Sequence, residues 1–410
     1  MGDMDRRRAG ALLAAEGLDG MVLFRPEAFR YATGLAAGVA TMWGQAGSAI
    51  ALVPADPAAQ LAAVMSDHAA AGAGQLAGVL DIRTHRIWID AVTVDSPRTI
   101  ADIDVAYRAS GNVGPRPETF DRQACFRLLA DLLAERGLSR GVLGIDLDFM
   151  PAADFAALKA AVPGVAWRDA SDILRRLRLI KNGREIDRLR TAAACAEAGL
   201  RSMARAARPG VRVAELSAAW LSGATEAARL GGHGLSGHWD YISIGPDLHN
   251  AAAPLGEGDL VKADVGTLVD GYSSDGARTF VWGKASPLAA DIYKALLEAF
   301  LAGAEILKPG RRFGEVHETM LSTMRRNGFR EYHRGHFGHS VGAAAGIEEW
   351  PFLSSGNDIV IEPDMVLALE APFYANGIGA LMIEEQFLVT PQGAESMNEL
   401  PRDLVSLGQA

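Results

Sequence analysis

Cysteine is scarce in this chain: Cys125 and Cys195 are the only two in 410 residues, and 70 positions separate them. That excludes a disulfide framework and a thiolate metal site, and suits a reducing, cytoplasmic compartment. An uninterrupted apolar run of about 18 residues is also missing, so no membrane-spanning helix is expected. Positive charge is in the minority, and the formal net charge is −10. The average field repels nucleic acid and anionic membranes, and neither is expected as a partner. No repeat of about 20–50 residues interrupts the chain, and there is no low-complexity linker. The opening "DRRRAGALLAAEGLDG" has the basic start of a signal peptide. Glu16 and Asp19 break up its apolar part, so an amphipathic helix is expected.

What is present is ordinary globular material, 49% hydrophobic and 22% charged, in a length that suits two or three domains. The first part alternates helix and strand patterns. Residues 5–17 and 152–162 read as helices, and 20–24, 47–55 and 142–150 as strands. This predicts an α/β domain. Basic residues then cluster from Arg175 to Lys181, as a solvated helix face or an interdomain contact, and "KNG" offers a break. We place the boundary there, giving domains 1–175 and 176–410. Beyond it, helices are predicted at about 183–206, 213–229, 287–306 and 313–327. A hairpin at 259–283 and strands at 365–374 and 380–390 complete an α+β pattern.

The acids in those strands are oddly placed. In "KADVGTLVDGYSSDGART", the turn signal Asp270-Gly271 lies between Asp264 and Asp275. A hairpin about that turn puts both carboxylates on one face, opposed or one diagonal step apart. Further on, a loop centred on Gly377 would set Glu370 opposite Glu384, and both interrupt apolar strands. Lone carboxylates there are costly, and paired ones repel unless a cation or a shared proton sits between them. A histidine in the glycine-rich turn "RGHFGHSVG" adds an imidazole to these oxygens. Such a set suits Mn, Fe or Co, with Zn a further candidate, and bridging carboxylates suit a two-metal site.

"ADVGTLVDGYSSDGART", "GHSVG", "LALEAP" and "MIEEQFLVT" resemble, in order and spacing, the signatures of the pita-bread metallopeptidases. This is the M24 group of methionine aminopeptidase, aminopeptidase P and prolidase, with creatinase and a dimethylsulfoniopropionate lyase as relatives. "FRPEAFRYATG" and "LRLIKNGREIDRLRTAA" extend the resemblance over nearly the whole chain. It implies a pita-bread α+β catalytic domain preceded by an α/β creatinase-like N-terminal domain. It implies five metal ligands, Asp264, Asp275, His339, Glu370 and Glu384, holding two divalent ions. Asp275 and Glu384 would bridge them, and Glu370 would also relay a proton. His249, in "GPDLHNAAAP", is similar to a histidine that lines the family's substrate pocket; a plain turn histidine is the alternative. His336 is read as packing or capping, with a place beside the ligands as the alternative. A homodimer is also implied.

Two positions depart from the peptidase pattern. Gly346 stands where a second histidine follows the ligand, and Glu348, counted back from Pro351, takes that histidine's place. "IEEWP" here is locally similar to the dimethylsulfoniopropionate lyase branch. Met382 stands where proline-specific peptidases tend to have arginine. A hydrolase cutting a small Xaa-Pro-like peptide or other C–N bond is therefore the leading expectation, with Glu370, His249 and Glu348 as its catalytic candidates. The alternatives are a lyase or creatinase-like enzyme for a small cationic substrate, and a binding protein that has kept the fold. Glu348, Trp239, Tyr241 and Trp350 fit a cationic substrate, because carboxylates and aromatic faces suit onium groups.

Overall fold

The computed structural model describes residues 2–74, 78–111, 113–343 and 348–408. Gly346 lies outside the described residues. The chain forms two compact units, Met1–Leu177 and Arg178–Ala410.

The first unit is built on β1 (Gly20–Leu23), β2 (Ile50–Pro54), β3 (Ala62–Ser66), β4 (Asp81–His85), β5 (Val142–Ile145) and β6 (Ala166–Asp169). They run in the order β4-β3-β2-β1-β5-β6. The inner strands are apolar on both sides, as a sheet covered on both faces requires. Met21, Leu23, Ala51 and Val53 pack with the helices Arg6–Ala15 and Pro26–Thr33. The alternating residues Val22, Ile50, Leu52 and Ile145 pack with the helix Arg122–Glu135. This is the expected α/β layering.

The second unit continues with β7 (Leu235–Ile244), β8 (Leu260–Val269), β9 (Tyr272–Ser273), β10 (Ala277–Trp282), β11 (His336–Ser340), β12 (Glu349–Ser354), β13 (Val366–Ala375) and β14 (Gly379–Thr390). The main path of its sheet runs β12-β11-β13-β14-β10-β8-β7. Four long helices, Gly183–Ala206, Val213–Leu230, Pro287–Ile306 and Phe313–Arg326, accompany it. Asn182 and Glu185 close a capping box at the first of them, which explains the break at "KNG".

Strand alternation divides this sheet chemically. Leu367, Leu369, Leu381 and Ile383 pack with the helices Pro287–Ile306 and Phe313–Arg326. Val261, Ala263 and Val265 pack with Leu200, Leu216 and Trp220 of the other two helices. The residues between them, including Asp264, Glu370 and Glu384, point to the opposite face, and that face carries the site.

Candidate metal centre

Register places the acids. Asp264 on β8 pairs with Ala277 on β10, Ala277 pairs with Glu384 on β14, and Glu384 pairs with Glu370 on β13. Three carboxylates and one small spacer thus form a row across four adjacent strands. Asp270 and Gly271 make the two-residue turn between β8 and β9, both at positive φ. Asp275 consequently sits one diagonal step from Asp264, two residues before Ala277. The β13–β14 loop, with Gly377 at φ 93°, sets Glu370 opposite Glu384.

His339 enters from β11, paired with Ala368. The glycine before it is required: Gly338 has φ 136°, and a Cβ there would fall 2.0 Å from the Ala368 carbonyl oxygen. His339 Nε2 lies 3.4 Å from Asp275 Oδ2, and Nδ1 lies 3.0 Å from the Ser340 carbonyl. Lys181 ties down the end of the strand, its ammonium donating to Ser340 Oγ at 2.8 Å. Arg178 pairs with Glu349 on β12 at 2.6 Å. Both basic side chains are therefore engaged within this unit rather than solvated.

All five expected ligands line one cavity of about 360 Å³, whose walls are completed by Trp239, Tyr241, Glu348 and Met382. His249 is not among the lining residues. It sits on an exposed turn, its backbone N–H donating to Asp247 at 3.0 Å.

Electrostatics crowds negative charge into the cavity. Burial pushes the Asp275 carboxyl up to about 7, with Asp264 and Glu370 adding to the shift against His339. Burial, then Asp275, Glu370 and Asp264, hold Glu384 well above the usual carboxylate range. Asp264 is raised by burial despite Lys262, whose ammonium lies 3.2 Å away. Burial alone would lower His339, but Asp275 raises it to about 9. Only Glu370 moves down: burial opposes its charge, yet His336 and Arg334 favour it more. These shifts are those of acids packed together without the charge that would satisfy them.

The donor set fits a divalent metal. Asp275, His339 and Glu384 each offer a ligand atom, all within 4.8 Å of one another. Glu370 Oε1 is buried without a hydrogen bond; His336 Nδ1 approaches it to 3.1 Å but not in hydrogen-bonding geometry. Oxygen donors with one imidazole suit borderline or hard divalent ions.

Two cations escape the sequence pattern, and His336 joins them at the site. Arg334 donates to Glu370 Oε2 at 2.8 Å, Lys262 pairs with Asp264, and His336 lies between Glu370 and Glu348. His336 also packs on Phe352, at 5.1 Å between ring centroids. Packing or capping was the leading reading and a place beside the ligands the alternative; the structure favours the alternative, because Glu370 on β13 and Glu348 just before β12 approach its two ring nitrogens. Met382 leaves its own strand position without a guanidinium, and Arg334 is the one that reaches the site.

Comparison with known proteins agrees with this geometry. Residues 187–391 match the model of metallopeptidase family M24, and residues 6–180 match that of the creatinase/prolidase N-terminal domain. An Xaa-Pro dipeptidase of Lactobacillus helveticus is 30% identical over 293 residues, which cover 69% of this chain and 77% of that one. The crystal structure of the dipeptidase PepE from Mycobacterium ulcerans superposes with a TM-score of 0.74 at 26% identity, covering 98% of this chain and 96% of that one. An Xaa-Pro dipeptidase from Bacillus anthracis shares the fold with a TM-score of 0.77 at 23% identity, over 98% and 99% of the two chains. The chain belongs to metallopeptidase family M24, with a pita-bread catalytic domain behind a creatinase/prolidase N-terminal domain.

Proposed function

We propose that this chain is a metal-dependent dipeptidase of the Xaa-Pro type, cutting a short peptide at the nitrogen of proline or a similar C–N bond. One observation carries the reading: two aspartates, two glutamates and a histidine, four of them on separate strands and Asp275 just before β10, converge on one cavity. Asp264, Asp275, His339, Glu370 and Glu384 would hold two divalent ions, with Mn, Fe or Co the best suited and Zn a further candidate. Bound there, the ions would polarise the scissile carbonyl and make the attacking water more acidic.

The chain's own groups do the rest. Glu370, kept ionised by Arg334 and His336, takes the proton of the attacking water and passes it to the leaving amine. Arg334 orients that carboxylate. Glu348 faces the substrate from the cavity wall. His249, on its exposed turn, is given no contact with the reacting atoms. The reading also takes residues 1–175 as the creatinase-like domain, 176–410 as the catalytic domain, and the protein as a cytoplasmic homodimer. Both cysteines are unpaired, which suits that compartment.

The test is reconstitution. Chelated protein is reloaded with Mn, Fe, Co or Zn, its metal content is counted, and release of free proline from Xaa-Pro dipeptides is measured. Activity that survives full chelation would sink the reading. A second reading, a lyase or creatinase-like enzyme for a small cationic substrate, is favoured by Glu348 in the cavity. An alkene released from dimethylsulfoniopropionate, with no proline from any dipeptide, would select its lyase form.

A further inference from the structure

Glu348 lies outside the close donor group formed by Asp275, His339 and Glu384. It stands just before β12, and its side chain is 50% exposed. The next residue, Glu349, is locked to Arg178 by an ion pair whose side chains are only 13% and 9% exposed. That buried pair anchors the backbone from which Glu348 projects into the cavity. His336 approaches Glu348 to 3.6 Å and Glu370 to 3.1 Å. Glu370 is already paired with Arg334 at 2.8 Å, while Glu348 presents its half-exposed carboxylate to the cavity.

The sheet order puts β12 at one end and β7 at the other, yet β7 lines the same cavity through Trp239 and Tyr241. They are alternate residues of one strand, opposite Gly266 and Asp264. Gly266 lets the Trp239 ring lie against β8; a Cβ there would fall 2.4 Å from it. Trp239 Nε1 donates to Ser273 Oγ at 3.1 Å, which fixes the ring. The Trp239 and Tyr241 ring centroids are 5.6 Å apart. Among the described residues, no lysine or arginine lines this cavity. A half-exposed carboxylate, a fixed indole and a neighbouring phenol ring are the chemistry that recognises positive charge.

We propose that Glu348, with the Trp239–Tyr241 pair, forms a subsite for a positively charged group of the substrate. The peptide form of this inference rests on the dipeptidase reading. In a short peptide the charge is either the free α-ammonium or a basic side chain, and the shared chemistry is a cation. Glu348, standing in place of a histidine that would donate a proton, instead attracts an ammonium or guanidinium. The subsite selects substrates whose charged end meets it while the scissile bond lies over the buried acids.

The first test needs no turnover. Calorimetry on the metal-loaded protein compares choline with its neutral carbon analogue 3,3-dimethyl-1-butanol. Choline should bind at least about tenfold more tightly, Glu348→Gln should erase that preference, and Trp239→Leu should weaken choline severalfold. Equal binding of the two compounds, or a preference unchanged in Glu348→Gln, would overturn the subsite. An unchanged affinity in Trp239→Leu would overturn its aromatic half. The second test separates the two sources of charge in Ala-Pro, Arg-Pro and N-acetyl-Ala-Pro. A KM that rises on acetylation assigns the α-ammonium, one that falls with arginine assigns the side chain, and both effects should vanish in Glu348→Gln. If neither effect occurs in the wild type, the peptide form is wrong. Choline selectivity without any peptide cleavage would refute the dipeptidase reading while leaving the subsite standing.

Discussion

Asp275 and His339 hold protons in the metal-free fold that the unfolded chain would release. The Asp275 carboxyl is raised from 3.8 to about 7, so the fold keeps its proton across that window. His339 is raised from 6.5 to about 9 and does the same at higher pH. Where the native state binds more protons than the unfolded state, stability falls as pH rises. The metal-free protein should therefore lose stability through both windows. Urea unfolding in chelator, repeated from about pH 5 to about pH 9, measures that slope. Asp275→Asn should make it shallower, since the variant has no proton to lose at 275 and no longer raises His339, while the raised Glu384 and Asp264 remain; an unchanged slope would refute the assignment. Metal replaces those protons, so its affinity should climb over the same range. Removing a ligand outright is harsher. Asp275→Ala or His339→Ala should empty at least one metal position, by elemental analysis, and lower kcat/KM by roughly a thousandfold, or about 4 kcal/mol of transition-state stabilisation. Arg334 touches Glu370 rather than the metal, so Arg334→Leu should cost about 10–100-fold in metal affinity or activity.

The strands that carry the candidate ligands depend on a few turns, and those were partly legible. Asp270-Gly271 and Gly377 announce their turns by residue type, and strand alternation then sets Asp264, Glu370 and Glu384 on one face. The four long helices of the second unit fall at the expected places because caps and helical periodicity act locally. Asp121 ahead of a leucine-periodic run marks the helix Arg122–Glu135 just as openly, a signal the reading of the first domain leaves unused. Short polar strands such as β4 ("DIRTH") carry no alternation and take their state from neighbouring strands. His336 was legible only as an alternative, and Arg334 not at all, because its role comes from Glu370, more than 30 positions later. Gly338 shows how much rests on one position of β11. Gly338→Ala would force a side chain into the Ala368 carbonyl at a left-handed φ. The strain is about 1–3 kcal/mol, and His339 would shift with the strand. Melting should move down by several degrees, and metal affinity should fall with it. A normal melting temperature with normal metal content would show that β11 can yield without moving its histidine.

At the scale of the whole molecule, the apolar clusters respect the division of the chain. Those around β1 to β6 draw only on residues up to Leu177, and those around the second sheet only on residues from Leu179 onward. Each unit thus has its own hydrophobic core, the condition for melting as a cooperative element in its own right. All the candidate metal-binding acids belong to the second unit. A ligand stabilises only the folded element that binds it, by about 2.7 kcal/mol at a free concentration 100 times its Kd. For a unit of this size that is a shift of roughly 5–10 °C. Scanning calorimetry of the full chain should therefore resolve two transitions in chelator. Added Mn should raise one of them by that amount and leave the other in place, and His339→Ala should abolish the shift without touching the second transition. If both transitions rise together, or only one exists and moves as a whole, the two cores are energetically joined. Metal binding in the second unit would then also stabilise the first.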